Sequence, residues 1–172
     1  MSVTETPRLR LRRVVHGDAP FILELLTDPD FLANVGDRGV RDLQSARRYI
    51  AEVPGASYQR LGFGLWLVER KDSGQPLGLC GLLRRDTHPD VEIGFALLPA
   101  ARGYGYAHEA AAATLHLALG TLGLRRVVAI TAPGNAASIG LLERLGFKYE
   151  RTGRYSGDGE SRLFVLDRSA AP

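Results

Sequence analysis

Between Glu92 and Ala110 the chain reads EIGFALLPAARGYGYAHEA. A carboxylate opens an apolar run, glycines stand at Gly103 and Gly105, and an alanine-rich segment follows. This is the pattern of a strand that ends in a glycine turn and leads into a helix. Glycine admits positive φ and, lacking a Cβ, lets a ligand come close to the backbone. The amides that open a helix have no carbonyl partner and favour an anion. The amides from Arg102 to Ala107 are therefore expected to be free donors, with Arg102 adding charge and two-pronged phosphate recognition. A pyrophosphate suits such a turn. The same glycines would equally serve a plain strand-to-helix turn.

Two nucleotide motifs fail here. A dinucleotide fingerprint needs G-x-G-x-x-G/A inside a βαβ unit. His108 occupies the third glycine position, and the turn follows a run of hairpin-like strands. A P-loop needs G-x-x-x-x-G-K-[ST], and neither lysine of the chain follows a glycine in that way. His108-Glu109 begins a zinc-protease motif, but Ala112 stands where the second histidine belongs, so no metal is expected.

The strand period puts Ile93, Phe95 and Leu97 on one face and Glu92, Gly94 and Ala96 on the other. A carboxylate thus shares its face with two small residues, which leave room for a slender ligand. Further on, NAASIGLLERLGF reads as a short helix stopped at Gly146, with Asn135 and Ser138 three apart at its start. Asn135 is a helix cap on this pattern.

The elements that must carry these residues follow from periodicity. RLRLRRV alternates and reads as a first strand, Leu9 and Leu11 inward and the arginines solvated. GDAPFILELLTDPDF predicts a helix capped by Asp18, with Phe21, Ile22, Leu25 and Leu26 on one face, ended by Asp28-Pro29. DLQSARRYIAEV predicts a second, stopped by Pro54-Gly55. FGLWLVER and LGLCGLLRR are strands joined by KDSGQ, and DVEIGFALLP is a third. A long helix is expected from about Tyr104 to Leu122, then a buried strand in RRVVAITA. The tail adds two strands around a turn at Gly157 to Glu160. The order β α α β β β α β α β β describes an α/β domain with a mixed sheet.

Composition narrows the class. At 172 residues, 45% apolar and 24% charged, the chain suits one soluble domain. No apolar run approaches the ~20 residues of a membrane span, and the start lacks a secretory h-region, so a cytoplasmic protein is expected. Its one cysteine, Cys80, excludes an internal disulfide and reads as a small buried hydrophobe. The 22 basic residues give a net charge of only +3 and form no stripe, which argues against nucleic acid.

ARGYGYAHEA resembles the coenzyme A pyrophosphate loop of the GNAT N-acetyltransferase superfamily, [QR]-x-x-G-x-[GA]. TPRLRLRRV, LGLCGLL, VEIGFAL, GYGYAHEA and NAASIGLLERLGF also follow the order of its RimJ/RimL-like branch, which acetylates protein N-termini. Ala100 departs from the Gln/Arg of the pattern. The resemblance covers nearly the whole chain. It implies one domain over residues 1–172 with a mixed, mostly antiparallel sheet of about seven strands flanked by helices. It further implies transfer of acetyl from acetyl-coenzyme A to an amine, without metal, and allows a homodimer.

The acceptor implied is a peptide N-terminus, the alternatives being a small-molecule amine or, in a non-catalytic sensor, none. Glu92 then stands as general base acting through water, and Ser138 as the group that hydrogen-bonds the leaving thiolate. Amides near Phe95 to Leu97 would hold the oxyanion, freed by a distortion of their strand. Ala96, Leu97, Leu98, Arg102, Gly103, Tyr104, Gly105, Tyr106, Ala107 and Asn135 would contact the coenzyme. The acceptor cleft is expected around Phe31 to Val35 and Tyr149 to Arg162.

Overall fold

A computed structural model describes residues 2–155 and 159–168. One eight-stranded sheet runs β1 (Ser2–Glu5), β2 (Leu9–Arg13), β3 (Leu65–Arg70), β4 (Pro76–Leu83), β5 (Val91–Leu97), β6 (Arg126–Thr131), β8 (Ser161–Asp167) and β7 (Lys148–Gly153). Every neighbour pair is antiparallel except β5–β6, which is parallel. The extra strand relative to expectation is β1. Its sequence, SVTE, is polar and carries no periodic signal; the hairpin with β2 makes it a strand. The expected turn at Gly157 to Glu160 lies partly outside the described residues, but the strands it was to join, β7 and β8, pair antiparallel as anticipated.

Helices cover both faces. On one lies α5 (Tyr106–Leu119), whose Ala110, Ala111 and Ala118 are fully buried against Leu82, Ile93 and Leu97. Small side chains let this helix sit close to the strands that carry the site. On the other lie α1 (Ala19–Leu26) and α3 (Leu43–Ile50). Phe21, Ile22, Leu25, Leu26 and Tyr49 pack there on Leu67 and Leu79. Each such leucine contributes about 1.5–3 kcal/mol by leaving water. Trp66 is core, as its alternation implied. The strand arginines are solvated but not idle: Arg10 and Arg12 pair with Glu69 on β3 at 3.2 and 3.0 Å.

Two local expectations are corrected, the cap at Asp18 and the stop at Pro54, and one, the end at Asp28-Pro29, is extended. Asp18 does not cap α1; its carboxylate accepts two bonds of 2.9 Å from Arg12 and one from the Val15 amide. Asp28-Pro29 ends α1 and at once opens α2 (Pro29–Asn34), where Asp28 accepts from the Asp30 and Phe31 amides. Pro54 does not stop α3. The chain widens into a π-turn over Ala51–Gly55 and continues as α4 (Ala56–Leu61). A wider turn accommodates a residue that lacks an N–H and crowds the carbonyl four residues back. The helix breaks only at Gly62, φ +78°.

Cys80 is buried under α5, where its Sγ lies 3.4 Å from Thr114 Oγ1; burial pushes its thiol up to about 12. Alkylation by iodoacetamide at pH 8 should therefore proceed only at the rate of global unfolding. Rapid labelling of the native protein would contradict this packing.

Candidate active site

The glycine turn has the backbone anticipated for it: Gly103 and Gly105 take φ +86° and +80°. Space around a Cβ at Gly103 is open, so this position needs glycine for φ rather than for room. The Arg102 amide is not free, for it donates to the Pro99 carbonyl at 3.2 Å. The amides of Gly103, Tyr104, Gly105, Tyr106, Ala107 and His108 donate to no carbonyl among the described residues. Six unpaired donors at the start of α5 form an anion cradle.

Arg8 holds that cradle from the bend just before β2. Its guanidinium binds Glu109 at 2.7 Å and the Tyr104 carbonyl at 2.9 Å, and lies 4.5 Å from the Tyr106 ring centre. Burial alone would raise the Glu109 carboxyl. Hydrogen bonds from Thr6 and Arg8 outweigh that and hold it below the usual range. Arg102 points elsewhere: its guanidinium binds Asp30 at 2.5 Å and the Leu97 carbonyl at 2.9 Å, tying α2 to the end of β5.

The second feature is a parting of strands. The β4–β5 ladder is regular from Leu83↔Glu92 to Gly78↔Leu97, with no bulge. The β5–β6 ladder has only Val91↔Val127 and Glu92↔Val128. Beyond Glu92 the two strands diverge. Leu98 donates to Leu77 on the β4 side, so by strand alternation Phe95 and Leu97 turn their amides away from β4, into the gap. The expected free amides thus arise from the parting of β5 and β6 and not from a distorted β5.

A cavity of about 590 Å³ fills the gap. Glu92, Gly94 and Ala96 line it from β5; Ala129, Ile130 and Thr131 from β6; Asn135 and Ser138 from α6 (Ala136–Arg144). Asn135 caps α6 through Oδ1, which accepts from the Ser138 amide at 3.2 Å, leaving its NH2 group for a ligand. Thr131 Oγ1 is buried with no hydrogen-bond partner, an orphan that a bound polar group would satisfy.

Glu92 is 3% exposed and is not alone. Arg85 binds it edge-on, Nε at 2.6 Å and Nη2 at 3.3 Å. His88 Nε2 lies 3.7 Å from the same carboxylate, and both its ring nitrogens lack hydrogen-bond partners. Of the residues singled out from the sequence, Glu92, Ala96, Asn135 and Ser138 meet at this cavity. Leu97, Leu98, Arg102, Gly103, Tyr104, Gly105, Tyr106 and Ala107 run from its rim along β5 and the turn, outside its lining. Arg8, Arg85, His88 and Thr131 escaped the sequence argument. A free-standing arginine or threonine carries no motif, and only the alternation around Arg8 marked that strand at all.

The family profile described as Acetyltransferase (GNAT) domain matches residues 8–148. The chain belongs to the GNAT acetyltransferase family. Bacillus subtilis YkkB is 32% identical over 86% of this chain and 86% of its own length. An acetyltransferase structure from Agrobacterium tumefaciens str. C58 superposes with a TM-score of 0.81 at 28% identity, covering 95% and 92% of the two chains. The RimL ribosomal L7/L12 α-N-protein acetyltransferase, solved with coenzyme A, shares the fold at TM-score 0.74 and 16% identity, covering 99% of each chain. GNAT members are acetyl-coenzyme A-dependent acyltransferases, and this chain's residues fit that ligand: a donor row for pyrophosphate, a gap with unpaired strand amides, and an orphaned hydroxyl beside it.

Gly103→Ala tests the cradle. Alanine is strained at positive φ and would shift the turn that aims the donors, so the coenzyme A dissociation constant should rise roughly tenfold or more. Calorimetric titration giving unchanged affinity would remove the turn from the binding site.

Proposed function

We propose that this GNAT enzyme acetylates an amine of low basicity, a peptide N-terminal α-amine first of all. The observation that carries this reading is the buried Glu92 carboxylate, already bound on both oxygens by Arg85, at the closed end of the gap. A carboxylate is a modest base and asks for an acceptor that deprotonates easily. At pH 7 about a tenth of an α-amine is neutral, against about 0.04% of a lysine side chain.

When bound, acetyl-coenzyme A supplies a thioester carbonyl carbon for the amine and a thiolate as leaving group. The chain's residues then divide the work. Glu92 takes the amine proton through water as the new C–N bond forms. The Phe95 and Leu97 amides face the carbonyl oxygen, whose negative charge grows in the transition state. Ser138 is half-buried on the cavity wall and hydrogen-bonds the departing sulfur as the C–S bond breaks. A thiol pKa near 8.5 means that a hydrogen bond alone suffices at neutral pH. Asn135 and Thr131 position the arm of the coenzyme.

Incubation with acetyl-coenzyme A and a peptide bearing N-terminal serine and an internal lysine, read by mass spectrometry, tests the acceptor. Acetyl on the α-amine is expected. Modification of lysine alone, or of small amines in a parallel mixture while the peptide stays untouched, would overturn that choice.

Glu92→Gln should lower kcat about 100-fold, most severely at low pH where the amine is protonated. A pH–rate profile parallel to that of the wild type would reject the base role. Ser138→Ala should lower kcat while the affinity for acetyl-coenzyme A holds; equal turnover would take Ser138 off the reaction path.

A further inference from the structure

Among the described residues, the charges around the acceptor side of the cavity do not cancel. Arg38, Arg84, Arg85, Asp37, Glu92 and Glu160 line it. Asp37 is taken by Arg41 at 2.5 Å, and its carboxyl is held at about 2 by that bond. Glu92 is taken by Arg85. Among the described residues, Arg38 and Arg84 make no ion pair, and both are exposed. Two guanidiniums therefore face one carboxylate, that of Glu160.

Arg85 has more to offer than its bond to Glu92. That bond uses Nε and Nη2, which leaves Nη1 free, and a quarter of the side chain remains accessible. A guanidinium has five donors in a planar fork and can serve two carboxylates on two edges. Tyr49 lines the same cavity as Arg85 and Arg38. Its ring projects from α3 to the cavity wall, and its hydroxyl makes no hydrogen bond among the described residues. Burial raises this phenol above its ordinary value, outweighing the opposing pull of the Arg38 and Arg85 charges. The phenol thus stays protonated at neutral pH as one more donor.

We infer that the acceptor carries a carboxylate close to its amine, held by Arg38 and the free edge of Arg85 with the Tyr49 hydroxyl. Anchored there, the acceptor's amine lies beside Glu92, on the far side of Arg85. The carboxylate belongs either to an acidic side chain next to a peptide N-terminus or to a free amino acid. Both present the same group to the same donors. This inference rests on the acetyl-transfer reading above and specifies its substrate.

The test measures kcat/KM of the full chain with acetyl-coenzyme A on acceptors that differ in the carboxylate. One arm compares peptides beginning Ser-Glu, Ser-Gln and Ser-Lys; the other compares phenylalanine with phenethylamine. The acid of at least one pair should exceed its neutral partner roughly tenfold, the worth of one charge-assisted hydrogen bond. The arm in which this happens identifies the source of the carboxylate. Arg38→Glu, a change at an exposed position, should then reverse the order and favour Ser-Lys over Ser-Glu. Equal kcat/KM within both pairs would overturn the inference and leave acetyl transfer standing. No transfer to any amine by a protein that binds coenzyme A would remove the reading beneath it, and the inference with it.

Discussion

Two residue pairs, Val91 with Val127 and Glu92 with Val128, join the halves of an eight-stranded sheet. On one side β5 is held straight by six successive partners on β4; on the other β6 is held by six on β8. Each half is a stiff antiparallel ladder with its own twist. A seam this short cannot bring them together, and past Glu92 they separate. Strand amides that would otherwise be paired are left facing a cavity. Buried backbone donors need partners, and here the fold leaves that need to a ligand.

Three arginines fix the surroundings of the gap, each in a different way. Arg8 braces the glycine turn from the bend before β2, Arg102 pins α2 to the end of β5, and Arg85 immobilises Glu92. The exposed pairs of Arg8 and Arg102 add little to stability. The value of all three arginines lies in holding a cradle, a wall and a carboxylate at fixed positions around a slot that must stay open. The alanine-rich face of α5 serves the same end by packing tightly behind β4 and β5.

Much of this was legible in the residues, because local rules governed it. Period-two alternation put Leu9, Leu11 and Trp66 inside, and glycine spacing marked the positive-φ turn. The face shared by Glu92 and Ala96 followed from the same alternation. What local rules do not encode was missed. The parting of β5 and β6 depends on how far two ladders pair, a property of no single segment. Arg85 finds Glu92 across the connection between β4 and β5, and nothing in RRDTHPDVE distinguishes it from Arg84. Asp18, a good cap by composition, is captured by Arg12 from the neighbouring strand. A tertiary partner overrides the cap, whereas a local π-turn absorbs the break expected at Pro54.

The central claim is that one ligand satisfies two separate sets of unpaired amides, those of the turn and those of the gap. Amide chemical shifts of the 15N-labelled protein, recorded as coenzyme A is added, test it most directly. Gly103, Gly105, Ala107, Phe95 and Leu97 should move together along a single saturation curve. Movement at the turn with Phe95 and Leu97 unchanged would mean that the gap does not hold the coenzyme arm, and would contradict the account.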